Sequence, residues 1–133
     1  MVRRVAGGFI RKTLRVARRQ PVVDCLYELE GLEVPVVGLE FNLSLRDDRY
    51  LGQAQQYHRI TRFTVEEPGI GLSVTLSLDR PATLMHFPIE TVSESEAGLE
   101  RTYQGLCLIW LWPVRPGQGR WTGQLRWSVG GRR

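Results

Sequence analysis

The sequence predicts an all-β protein, an antiparallel β-sandwich or jelly roll of about seven to nine strands. Three observations carry that prediction. Apolar residues recur with a period of two rather than 3.6, as in strands with one buried face. Clusters of Gly, Pro and acidic residues punctuate the chain at intervals that suit short strands. A length of 133 residues, 42% of them apolar and 24% charged, suits one domain spanning 1–133 with a single two-layer core.

Each element follows from its own pattern. Residues 9–19 read as a strand because Leu14 and Val16 alternate with charged or polar neighbours. The Arg, Leu and Ala of 11–20 would also suit a helix ended by Gln20-Pro21, but the alternation favours the strand. Cys25, Tyr27 and Leu29 face one way against Asp24, Leu26, Glu28 and Glu30. Leu39, Phe41, Leu43 and Leu45 alternate with Glu40, Asn42 and Ser44, and residues 46–58 form a long polar connection with room for a helical turn. Leu72, Val74, Leu76 and Leu78 make another clean strand, and 82–92 and 99–112 are extended. In the last of these, Leu106, Leu108, Trp110 and Trp112 share one face while Cys107, Ile109 and Leu111 fill the other. A strand apolar on both sides is expected to be central and covered from both directions. Trp121, Leu125, Trp127 and Val129 line up with Gly123 near the C-terminus. Strong turn signals stand at 66–69 (EEPG) and 115–119 (RPGQG), with a weaker one at 78–81 (LDRP). Residues 1–8 and 131–133 are expected to be disordered.

Charge is unevenly spread. Of the 18 cations, seven fall in residues 1–20 with no acid, leaving eleven against fourteen acids, a net −3, in 21–133. Such a basic arm is the usual footprint of nucleic-acid binding, but no aromatic residue beyond Phe9 interleaves with the arginines, so a charged edge strand is the preferred reading. No run approaches the roughly 20 apolar residues of a membrane helix, and 1–12 lacks a secretory apolar core, so a cytoplasmic protein is expected. Cys25 and Cys107 lack metal-type spacing and sit in apolar contexts, the pattern of buried free thiols. His58 and His86 belong to no metal motif, and no phosphate-cradling glycine loop is present, so neither metal nor cofactor is expected.

Two sets of side chains remain as candidates. Glu90, Glu94 and Glu96, read as one polar turn, could supply the carboxylate pair of a glycoside hydrolase, but carboxylates in one turn are usually solvated, and no catalytic residue is assigned. The four tryptophans could stack on the apolar faces of sugars. Trp110 and Trp127 read as core, whereas Trp112 and Trp121, flanking the 113–120 turn, fit core and sugar stacking equally.

GLEFNLSL (38–45) and HFPIETVSESEAGLERTYQG (86–105) resemble the C-terminal β-sandwich of family 57 glycoside hydrolases, the α-amylase/4-α-glucanotransferase group. The resemblance covers about the later half of that domain, over roughly residues 9–130 here. It implies a galactose-mutarotase-like sandwich and an association with α-glucan metabolism. The family's catalytic carboxylates lie on a separate domain with no counterpart here, so no catalytic residue carries over and a non-enzyme is expected. Glu40, Asn42, His86, Glu90 and Gln104 are implied to line a polar, carbohydrate-facing surface, to which Trp112 and Trp121 are added as stacking candidates. The implied partners are an α-glucan oligosaccharide or a separate glycoside hydrolase chain. A half-length sandwich that leaves an apolar face uncovered would instead favour a two-fold homodimer without sugar binding.

Overall fold

In the computed structural model, which describes residues 1–5 and 7–131, the chain forms eight strands. They are β1 (Val2–Val5), β2 (Gly8–Val16), β3 (Val22–Glu30), β4 (Val36–Leu43), β5 (Gln55–Glu67), β6 (Leu72–Ser95), β7 (Gly98–Pro113) and β8 (Arg120–Gly131). Their pairings are antiparallel and follow the order β1-β2-β3-β8-β6-β7-β4, with β5 also on β6. The all-β prediction holds, and a one-turn 3-10 helix, Pro68–Ile70, is the one helical element among the described residues.

The long strand β6 makes two layers out of one sheet. Its first part, Leu72–Leu78, pairs with β8, and its later part, Thr83–Ser95, pairs with β7, while β5 runs along the opposite edge. Between these parts the ladder to β5 slips, from Arg62↔Ser77 to Ile60↔Ala82. Pro81 has no N–H to offer a ladder, so a proline is tolerated where one neighbour leaves and the next has not begun. The expected turn at 78–81 is therefore a corner within a continuous strand. It folds β1-β2-β3-β8 over β4-β7, and Phe41 of β4 meets Trp127 of β8 edge-on at 4.8 Å across the interior.

The core follows the period-two pattern. Leu76, Leu84, Leu106, Leu108 and Trp110 are fully buried, joined by Cys25, Tyr27 and Leu125 from the other layer. The expectation that β7 is covered on both faces is corrected. Its Leu106–Trp112 face is buried, but Ile109 and Leu111 on the reverse are only half-buried, beside Met85 and Phe87 of β6, which are 37% and 38% exposed. Strand β7 is central in hydrogen bonding, between β4 and β6, yet no second layer covers its outer side among the described residues.

Three further expectations change. The polar connection is shorter than 46–58, because residues from Gln55 onward join β5, with Tyr57 packed against the core and Gln56 outward. The acidic turn is not a turn: Glu90 and Glu94 lie within β6, paired with Tyr103 and Leu99, and only Glu96 sits at the hairpin tip. At the other end, where disorder is expected over 1–8, Val2–Val5 pair with Phe9–Arg11 and Gly8 as an edge strand. Residues 132 and 133 of the expected C-terminal disorder lie outside the described residues. The N-terminal cations decorate this edge: Arg11 lies 3.6 Å from Glu28, and Lys12 sits over the Tyr27 ring. Both cysteines are free and buried, Cys25 in the core and Cys107 on the outer side of β7, and burial pushes both thiols up.

Candidate functional site

The β7–β8 reversal builds a cleft at one end of the sandwich. Trp112 is the last inward residue of β7 and Trp121 the first of β8, so the turn between them brings the indoles together at 5.6 Å and 60°. Gly123, two residues on, has no side chain because the Trp121 ring lies where one would go: a Cβ there would stand 2.3 Å from the ring. Arg80, from the corner of β6, lays its guanidinium 5.5 Å from the Trp121 ring centre and donates to the Thr122 carbonyl. With Pro81, Arg115 and Gln118 these residues line a cleft of about 650 Å³. Both indoles are only 3% exposed, so they floor the cleft rather than form an open stacking platform. Trp112 Nε1 is buried with no acceptor among the described residues. The cleft thus pairs a buried aromatic floor with the polar side chains of Arg80, Arg115 and Gln118.

The other predicted residues do not gather there. Glu40 and Asn42 are exposed on the outer face of β4, where Asn42 Nδ2 donates to Glu40 Oε1 at 3.0 Å. His86 points the opposite way, 2% exposed, against Tyr50, Tyr57 and Phe63 at ring separations of 5.6–5.9 Å. Its Nδ1 has no partner among the described residues, and burial holds its pKa below the ordinary imidazole value. Glu90 and Gln104 stand on the ribbon where β6 and β7 extend beyond their neighbours; Glu90 lies 3.7 Å from Arg101, and Gln104 donates to Thr91 Oγ1 at 3.2 Å. The single polar face implied by the resemblance therefore does not form: Glu40 and His86 lie on opposite sides of one layer.

Gln104 owes its position to a bulge. Ile89 pairs with Gly105 and Glu90 with Tyr103, so Gln104 is the extra residue. Gly105 adopts φ +155°, and a Cβ there would lie 2.1 Å from the Leu43 carbonyl oxygen. Nearby, the buried Glu67 carboxylate accepts the backbone N–H groups of Arg46 and Asp47 at 2.7 and 3.2 Å, tying down the β4–β5 loop. The Tyr103 hydroxyl, buried without a partner among the described residues, is pushed up to about 12 by desolvation and the neighbouring Tyr50 and carboxylates. Among the described residues no three His, Cys, Asp or Glu side chains cluster as metal ligands would. Sequence reading missed Arg80, Arg115 and Gln118. Their signal was present in the turn residues 78–81 and 115–119, but only the corner of β6 brings them together.

Residues 5–125 match the family described as alpha-amylase/4-alpha-glucanotransferase, C-terminal. The chain belongs to that family. This C-terminal-domain homologue is 35% identical to alpha-amylase 1 of Dictyoglomus thermophilum, over 94% of the chain but 21% of that protein. It is 30% identical to a 4-alpha-glucanotransferase of Thermococcus kodakarensis, over 90% of the chain and 16% of that enzyme. The crystal structure of 4-alpha-glucanotransferase from Thermococcus litoralis superposes with a TM-score of 0.71 at 22% identity, covering 94% of this chain and 19% of that one. The homologue thus spans about a fifth of the length of these relatives, and what it shares with the solved structure is the fold. Among the described residues no helix is long and apolar enough to cross a membrane.

Proposed function

We propose that these residues form a non-catalytic, carbohydrate-associated module that binds α-glucan in the Trp112–Trp121 cleft and works alongside a glucan-processing catalytic chain. The observation that carries the reading is the cleft itself: paired indoles, a stacked guanidinium and the Gln118 amide, in a member of a family named for α-glucan enzymes. The catalytic role falls to residues outside this match, because the curated relatives align over only 11–21% of their length. Maltotriose titrated at millimolar concentration should change tryptophan emission, since two of the four tryptophans line the cleft. Unchanged emission and unchanged backbone NMR shifts would sink the proposal.

A second reading rests on a different observation, the uncovered apolar side of β6 and β7. Met85, Phe87, Ile109 and Leu111 meet there, with Glu40 and Asn42 on the adjoining β4. Under this reading the chain is an interaction domain without sugar binding, most simply a two-fold homodimer. Light scattering decides it: a dimer dissociated by Phe87→Glu supports it, and a monomer at high protein concentration removes it.

A further inference from the structure

The cleft floored by Trp112 and Trp121 is built mainly of donors. Arg80 and Arg115 are its charged lining residues, and no carboxylate lines it among the described residues. Arg80 is partly engaged, 3.5 Å from Asp79 and bonded to the Thr122 carbonyl, with its guanidinium carbon 5.5 Å over the Trp121 ring centre. Arg115 is exposed on the turn and makes no ion pair among the described residues. Glu33 lies in the adjoining groove, which shares Arg115, Pro116, Gly117 and Gln118 with the cleft.

A neutral glucan offers hydroxyls that both give and take hydrogen bonds, and sites for it usually mix amides and carboxylates with arginine. Two guanidiniums with no lining carboxylate over an aromatic floor fit a different ligand, one with an apolar ring face at one end and a compact anion at the other. We infer that the cleft selects a phosphate monoester of a glucosyl unit over the corresponding neutral sugar, with the ring against the indole floor and the phosphate between Arg80 and Arg115. This rests on the carbohydrate reading above and narrows it to a substrate class.

The test titrates the intact chain with maltose, glucose 1-phosphate and inorganic phosphate, followed by tryptophan emission and backbone NMR. Glucose 1-phosphate should bind at least about tenfold more tightly than maltose, because a charged hydrogen bond is worth about that factor. It should also exceed inorganic phosphate, and its affinity should fall with added salt. Arg115→Ala, at an exposed turn position that leaves the core intact, should remove most of that preference. Equal binding of maltose and glucose 1-phosphate overturns this inference and leaves the carbohydrate reading standing. Inorganic phosphate binding as tightly as the sugar phosphate overturns the sugar part, and no binding by any of the three overturns both readings.

Discussion

Replacing Gly123 with alanine tests whether the cleft depends on the packing of one indole. The Cβ would stand 2.3 Å from Trp121 Cη2 and 3.0 Å from Cζ2 and Cζ3, where carbon contacts normally begin near about 3.5 Å. The ring must therefore move by about 1 Å or more. It has little room, being 3% exposed with Trp112 and Arg80 packed against it. Forced overpacking of this kind costs about 1–3 kcal/mol. Alanine also restricts the unfolded chain, which returns about 0.4–1 kcal/mol where the backbone suits it. At the centre of both ranges the overpacking wins, so urea denaturation should show a net loss of about 1.3 kcal/mol, with a lower midpoint and an unchanged slope. Near-UV circular dichroism should change because the Trp112–Trp121 geometry changes, and sugar titrations should lose their emission response. A variant as stable as the parent with an unaltered near-UV spectrum would refute the reasoning, since the added Cβ would then be accommodated without displacing the indole.

Leu84→Ala, at a fully buried site on β6 facing Trp110 of β7, should cost about 2–5 kcal/mol by urea denaturation, whereas Met85→Ala on the uncovered outer face should cost far less. His86 is buried with its pKa depressed by desolvation, so the unfolded chain takes up the proton more readily than the folded one. Stability should accordingly be full above the ordinary imidazole value of 6.5 and fall as pH drops below it toward the folded value, with a slope of at most about 1.4 kcal/mol per pH unit. His86→Phe should flatten that segment of the denaturation profile, and an identical profile in the variant would show that His86 is not the source. Both backbone N–H groups donate to the same Glu67 oxygen, so Glu67→Gln replaces a charged acceptor with a weaker neutral one; hydrogen exchange should speed up at Arg46 and Asp47, with a stability loss of about 1–2 kcal/mol.

Sequence alone determined the strand character, since the alternation of residues such as Leu72, Val74 and Leu76 fixes which side of a pleated strand is buried whatever its neighbours are. It also determined the family, because the passage from His86 to Gly105 is distinctive residue by residue. The tertiary structure decided what period two cannot encode. A strand apolar on both sides reads the same whether or not a second layer exists, so the bare outer face of Ile109 and Leu111 was not legible. Proline at 81 reads as a turn in one dimension but becomes a corner when β5 continues alongside it. The implied polar face dissolved for a simple reason: Glu40 pairs with Ile109 and His86 with Leu108, adjacent residues of β7 that point to opposite sides of the layer. The cleft gathers Arg80, Trp112, Arg115 and Trp121 from three parts of the chain, and only the fold-over at the β6 corner makes them neighbours.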